Sequence, residues 1–234
     1  MIKQVRQLQI QKRRLEQRRR ARTLLSCGPA HYASRIPSVL IVLGSGGHTK
    51  EMLLMLEAGF HQFQPMHRHY VVSTGDHHSL LALQKFERDM AAMARVTGTY
   101  TSRLVRRARK VHQSWLTTPF SVAASMVEIL PLLLRLKPDI ILTNGPATGL
   151  LVSVAAHLIK FVGMMPPTKL HVLYVESWAR VKSLSLTGKL IYYGSLADLF
   201  LVQHEPVAQA YGVVNAGWLV APVRHGPLGA NNIK

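Results

Sequence analysis

Residues Ser38–Leu43 (SVLIVL) form an unbroken apolar, β-branched run. Such a run suits a strand covered on both faces, which is the environment of a parallel sheet packed between helices. It leads directly into GSGGHT (Gly44–Thr49) and then into a helical pattern at Met52, Leu53 and Leu56. The same alternation continues along the chain. A strand at His69–Ser73 precedes TGDHH and a helix through Leu80–Met93, and a short strand is expected near Tyr100. A helix over Trp115–Leu136 precedes a strand at Asp139–Thr143, the loop NGPATG and a helix from Leu150 to Phe161. Lys169–Val175 reads as a strand, Leu184–Tyr193 as a helix and Leu199–Val202 as a strand. Strands alternating with helices at this spacing predict an α/β fold: a Rossmann-like open parallel sheet with helices on both faces. The chain shows no internal repeat.

Charge divides the chain into three parts. Residues 1–22 carry nine basic side chains against one acid, Glu16, within a total formal charge of +18. Thinly spaced apolar positions (Val5, Leu8, Ile10, Leu15) make this stretch a solvated arm or a membrane-surface helix. With the Gly28, Pro29 and Pro37 breakers it forms an arm and linker over residues 1–37. The folded domain is expected over 38–220, and 221–234 is a tail without pattern. Only 17% of residues are charged, against about 25% in typical soluble domains, while 48% are apolar. A body poor in charge, whose charge is nearly all positive, points to phosphate-bearing partners: nucleic acid, anionic lipid or a phosphorylated substrate. A second basic knot is Arg103, Arg106, Arg107, Arg109 and Lys110.

Several classes are set aside. The single cysteine, Cys27, excludes an internal disulfide and a Cys-based zinc site. The apolar run Phe120–Leu134 is interrupted by Glu128 and Pro131, and Leu150–Met165 by His157 and Lys160, so neither is read as a transmembrane helix. The basic N-terminus lacks the apolar run of a secretory signal. His61, His67, His69, His77, His78 and His112 show no metal-ligand spacing, so no metal is assigned, and no cofactor is expected. The body has no recognised nucleic-acid module, so RNA binding rests only on the two basic clusters.

The chemistry concentrates in loops that follow strands. In GSGGHT, glycines permit a tight turn and close approach to a ligand. The helix behind offers unpaired N–H groups and the positive end of its dipole to a phosphate. Thr49 stands where the dinucleotide fingerprint needs glycine, and the Walker pattern is absent. The plainer alternative is an ordinary tight turn. His48 opens that helix, as a base, as a donor to a phosphate oxygen, or as a packed capping residue. NGPATG (Asn144–Gly149) lies at the same carboxyl edge, where ligands of such sheets bind. Asp76, in STGD, either contacts a sugar hydroxyl or caps a helix. Glu176 follows a strand and either bonds sugar hydroxyls or stands as a helix N-terminal acid. Arg180 and Lys182 face phosphate or solvent.

The ordered set VLGSGGHTKEML, YVVSTGD, RKVHQSWLTTPF, ILTNGPATG, YVESWARVKSLSLTGKL and LADLFLVQHEP resembles one family, over about Ser38 to Val220. That family is the membrane-anchoring, acceptor-binding subunit of the eukaryotic UDP-N-acetylglucosamine transferase that makes the second sugar addition to dolichyl diphosphate. More distantly the chain is similar to the N-terminal half of the bacterial glycosyltransferase that makes lipid II. The resemblance implies the N-terminal Rossmann-like half of a split GT-B enzyme, inactive alone. It implies a soluble catalytic partner that binds UDP-N-acetylglucosamine, at the cytosolic face of the endoplasmic reticulum or the continuous nuclear envelope. Carried over position by position, Gly44, Ser45, Gly46, Gly47, His48 and Thr49 would hold the acceptor diphosphate, with Asn144 and Gly145 as the second loop. Glu176 would match an acid near the cleft, giving His48 and Glu176 as the catalytic pair. Family members usually begin with a transmembrane helix, so anchoring is expected through the basic arm on an anionic membrane surface, through apolar helices such as Phe120–Leu136, or through a partner. A structural adaptor that recruits an enzyme and binds nothing is the reading from another class.

Overall fold

A computed structural model describes residues 10–12, 15–17, 19–20, 36–93, 98–107, 118–145, 147–166 and 169–219. The linker 21–35, Arg109, Lys110, Pro146 and the tail 221–234 lie outside the described residues. In chain order the elements are β1 (Ser38–Val42), α1 (Gly47–Ala58), α2 (Phe60–Phe63), β2 (His67–Ser73), α3 (His77–Met93) and β3 (Tyr100–Val105). Then come α4 (Thr118–Leu136), β4 (Ile140–Thr143), α5 (Ala147–Phe161), β5 (His171–Val175), α6 (Leu186–Tyr193), β6 (Leu199–Val202), α7 (Glu205–Tyr211) and β7 (Val214–Asn215).

All seven strands are parallel, in the order β3-β2-β1-β4-β5-β6-β7. The open parallel sheet expected from the sequence is therefore present. β1 pairs with β2 on one side and β4 on the other, so the strand order reverses there. Alternation along β1 splits the core into two layers. Val39 and Ile41 pack under α1 and α3 with Met52, Leu56, Leu83 and Phe86. Leu40 and Val42 pack on the other face with Ile129 and Leu133 of α4 and Leu151, Val152 and Ala155 of α5.

Some elements differ from the sequence reading. Pro131 interrupts the apolar run in sequence but sits inside a continuous α4. Its ring is exposed to solvent, where the lost backbone hydrogen bond is least costly. α4 is thus a continuous 19-residue helix, long and apolar enough by length and composition alone to cross a membrane. Its narrow buried stripe, Ser125, Ile129 and Leu133, packs on the sheet. The short elements α2, α7 and β7 were not anticipated. Nor was the buried polar cluster in which Arg68 donates to both oxygens of Glu87, each at 2.8 Å, while the Tyr70 hydroxyl donates to Glu87 at 2.6 Å.

The described residues of the basic arm are helical; Ile10 and Gln17 are partly covered and touch the domain, while the other six are exposed. β7 pairs only with Leu201 and Val202, leaving the Phe200 N–H ahead of it. Gln17 Oε1 accepts that N–H at 2.9 Å. Ile10 passes so close to Gly212, at the end of α7, that a Cβ there would collide with its carbonyl. Gly212 also has φ +66°, the left-handed region that favours glycine.

Candidate functional site

The loops after β1 and β4 face each other where the strand order reverses, the position at which open α/β sheets receive ligands. In the first loop Gly46 has φ 61° and ψ −121°, a conformation open to glycine. It serves as N-cap of α1, and no side chain caps that helix or places an acid in its first turn. The first N–H groups of α1 therefore point into an open loop with the positive end of the helix dipole behind them. Ser45, Gly46 and Gly47 are exposed, whereas Gly44 and Thr49 are buried. The Thr49 hydroxyl donates to the Gly44 carbonyl and lies 2.7 Å from Ser79 Oγ, which ties the loop to α3.

The second loop backs the first. Asn144 Nδ2 donates to the His48 carbonyl at 2.9 Å across 96 residues of sequence. Asn144 is only 1% exposed, so it holds the two loops together instead of presenting its amide at the surface. Gly145 lies beneath His48: a Cβ there would rest against the imidazole Cβ and Cγ at 3.5 Å. Gly149 permits α5 to start close to β4, since a Cβ there would collide with Thr143 Oγ1. Three buried polar atoms lack a hydrogen-bond partner among the described residues, and all belong to this junction: His48 Nδ1, Thr143 Oγ1 and Asn144 Oδ1.

A residue the sequence reading missed lies one helical turn beyond His48. Glu51 is buried, and its Oε2 is 3.8 Å from His48 Nδ1. Its Oε1 accepts the Trp178 N–H at 2.6 Å and Gln203 Nε2 at 3.1 Å. Gln203 Nε2 also donates to the Glu176 carbonyl at 3.2 Å. One carboxylate on α1 thus joins the loops after β5 and β6 to the His48 end of the crevice.

The other anticipated residues are placed as follows. Asp76 accepts the Ser79 N–H at 3.1 Å and the Ser79 hydroxyl at 2.8 Å, the capping alternative for the start of α3. Arg180 and Lys182 are exposed in the loop after β5, at the carboxyl edge. Glu176 does not reach into the crevice. It is 1% exposed and accepts from the Ser185 N–H (3.0 Å), the Ser185 hydroxyl (3.1 Å) and the Ser177 N–H (3.1 Å). Ser185 in turn caps α6 by accepting the Gly188 N–H at 2.9 Å, and a Cβ at Gly188 would collide with Glu176 Oε2. These bonds make Glu176 the anchor of the 177–185 loop.

Burial pushes the Glu176 carboxyl above its ordinary value of 4.5, opposed by the hydrogen bonds from Ser185 and Ser177 and by the Arg180 charge. The folded protein then holds this proton more tightly than the unfolded chain. The contribution is favourable below the unfolded value and is lost as pH rises through the folded one. The expected result is that the melting temperature of the native protein, measured relative to Glu176→Gln, rises as pH falls from neutrality toward 4.5. The opposite slope would show that the hydrogen bonds outweigh burial.

Sheet order, uncapped α1 and paired glycine loops together define a Rossmann-like α/β protein with an open crevice at its switch point. The chain belongs to the family described as oligosaccharide biosynthesis protein Alg14 like, whose model matches residues 39–219. A human relative named UDP-N-acetylglucosamine transferase subunit ALG14 is 38% identical over 176 residues, covering 74% of this chain and 78% of its own length. The Schizosaccharomyces pombe protein of that name is 36% identical over 178 residues, with the same shares covered. Among solved structures, MurG of Acinetobacter baumannii aligns with 74% of this chain at 14% identity and a TM-score of 0.49. A UDP-N-acetylglucosamine 2-epimerase aligns with 72% at 16% identity and a TM-score of 0.46. The chain spans 43% and 40% of those two proteins.

Proposed function

We propose that this chain is the non-donor subunit of a UDP-N-acetylglucosamine transferase that adds the second N-acetylglucosamine to dolichyl-diphosphate-linked N-acetylglucosamine. The observation that carries the reading is the uncapped N-terminus of α1, opening between two glycine loops at the switch point. An acceptor diphosphate fits there, against the N–H groups around Gly46–Thr49 and the helix dipole. Asn144 and Gly145 hold this cradle from behind. His48, 38% exposed at its rim, takes the proton of the acceptor hydroxyl as that oxygen attacks the anomeric carbon of the donor sugar. UDP leaves with the bonding pair on the partner's side. The donor belongs to a soluble catalytic subunit that this chain recruits to the cytosolic face of the endoplasmic reticulum, completing a split GT-B enzyme. The relatives' shared name and the family match support this assignment. The basic arm adds attraction to anionic lipid, each basic residue near such a surface being worth about 1 kcal/mol.

The test is co-expression with candidate soluble partners and an assay of N-acetylglucosamine transfer to a dolichyl-diphosphate-linked acceptor. Transfer is expected only from the pair, because the described residues form one sheet with one crevice, which the acceptor occupies, and the relatives are named as subunits of a transferase. Turnover by the purified chain alone overturns that division. Recruitment of a partner whose activity is indifferent to every loop substitution would favour the adaptor reading.

A further inference from the structure

The two edges of the sheet are finished differently. β7 is two residues long, and the arm supplies Gln17 for the Phe200 N–H ahead of it. β3 is six residues long and matches β2 residue for residue, from Arg68 opposite Tyr100 to Ser73 opposite Val105. It contains no proline, and no strand pairs with its outer side among the described residues. A long, regular edge of this kind is what natural sheets usually blunt or cover.

The ladder decides which groups this edge offers. The Thr99 carbonyl accepts the Arg68 N–H at 2.9 Å, and the Val105 carbonyl accepts the Thr74 N–H at 2.8 Å. Backbone groups alternate sides along a strand, so the odd-numbered residues of β3 face β2. Tyr100, Ser102 and Leu104 therefore turn their N–H and C=O outward. The open run stops at Arg106, whose N–H donates to Glu128 Oε2 at 2.8 Å and whose carbonyl accepts the Ser125 hydroxyl at 3.1 Å. Both partners belong to α4. Side chains divide by face. Tyr100 and Leu104, 44% and 58% exposed, lie on the α3 face, where the Tyr100 ring meets Tyr70 edge-on. Thr101 and Arg103 are exposed on the opposite face. Arg103 forms no ion pair among the described residues. Glu128 is taken by Arg106, and Glu87 is buried against Arg68.

We propose that β3 is a docking edge for an acidic, extended segment of a partner protein. The segment adds a strand through the outward groups of Tyr100, Ser102 and Leu104. It sets apolar side chains beside Tyr100 and Leu104 and acidic ones beside Arg103. Charge decides the occupant. A second copy of this chain, pairing antiparallel, would bring the two Arg103 side chains opposite or diagonal to each other, where like charges destabilise, in a chain of net charge +18. An acidic segment meets no such cost. The edge lies two strands away from β1, so this role is separate from the crevice.

The experiment is fluorescence anisotropy of a short labelled peptide alternating valine and glutamate, titrated with the full chain. Tighter binding is expected for it than for a block-ordered peptide of the same composition or for a valine–lysine counterpart. Ser102→Pro removes one outward N–H and leaves the bonds to β2 in place, because those use the odd-numbered residues. It should weaken the alternating peptide about tenfold in a protein whose circular dichroism and melting temperature are native. Arg103→Ser should weaken it about threefold, the yield of an exposed ion pair. Hydrogen exchange of the native chain gives a second reading: the Tyr100, Ser102 and Leu104 amides should slow when the peptide binds. Equal binding of the block-ordered peptide, or unchanged exchange of those amides, would assign the attraction to general charge and overturn the proposal. Unchanged binding by folded Ser102→Pro would do the same. A native dimer in sedimentation that Ser102→Pro abolishes would give the edge to a second copy and overturn it as well.

Discussion

Gly46→Val is expected to lower transfer by the reconstituted complex at least a hundredfold while the protein still accumulates in the cell. The reason is conformational and not steric. No heavy atom lies within 4 Å of a Cβ placed at Gly46 or Gly47, so neither substitution meets a wall. Gly46, however, holds φ 61° with ψ −121°, which strains any residue bearing a side chain by about 1–3 kcal/mol. That cost is too small to unfold a seven-stranded domain. It is enough to make the exposed loop relax to another backbone path, carrying the first N–H groups of α1 away from the phosphate. A displacement of about 1 Å at a positioned site can cost 10²-fold in rate. Gly47 lacks a positive φ and belongs to the first turn of α1, so Gly47→Ala should retain most activity. The contrast separates loop geometry from loss of glycine as such. The measurement is kcat/KM for the lipid-linked acceptor, normalised to the amount of folded complex. Native rates in Gly46→Val would reduce the loop to a tight turn, and equal losses at both positions would remove the conformational explanation.

What was legible in the sequence follows from how local each feature is. β1 could be read because a strand buried on both faces needs apolar residues at consecutive positions, and SVLIVL has them. The glycine loops could be read because glycine at a strand-to-helix junction reports backbone demands of that very turn. α7 and β7, of seven and two residues, are too short for a periodic signal and exist through packing on β6. Pro131 misled because proline predicts a helix end by a local rule, whereas a partly solvated helix supported by the sheet accommodates it. The docking of Gln17 on Phe200 spans 183 residues and has no local signature. Within the site, Asn144 and Glu176 were found as residues but not as structures. Their positions at the carboxyl edge follow from the strands before them, while burial and partners decide that one braces a loop and the other anchors a helix. Glu51 carried a faint signal, an acid three residues after His48 on the same helix face. In HTKEML it looks like ordinary surface charge, and its partners at Trp178 and Gln203 lie 127 and 152 residues away.

Glu51 is accordingly where the largest combined effect on stability and transfer is expected. Glu51→Ala leaves without an acceptor the Trp178 N–H, in a part-buried setting, and one amide bond of buried Gln203. Each unsatisfied donor costs about 1–3 kcal/mol; because the Trp178 N–H is only part-buried and Gln203 Nε2 keeps the Glu176 carbonyl, the loss together is about 2–4 kcal/mol. In a domain of this size that corresponds to a fall in melting temperature of about 5–15 °C. Transfer should fall with it, because the loops after β5 and β6 lose their tie to α1 at the crevice. Glu51→Gln divides the two roles. Its amide oxygen can still accept the Trp178 N–H, so the melting temperature should change by only a few degrees. It removes the carboxylate 3.8 Å from His48 Nδ1, which would stabilise the imidazole by charge as the ring takes up a proton. If His48 accepts the proton of the acceptor hydroxyl, Glu51→Gln lowers kcat about tenfold or more with little change in acceptor KM. A change in kcat with pH that differs between native and Glu51→Gln complexes would place the charge in the proton transfer itself. Native kcat in a folded Glu51→Gln complex would leave Glu51 as a bracket between loops and would remove His48 from the chemistry that the carboxylate was taken to support.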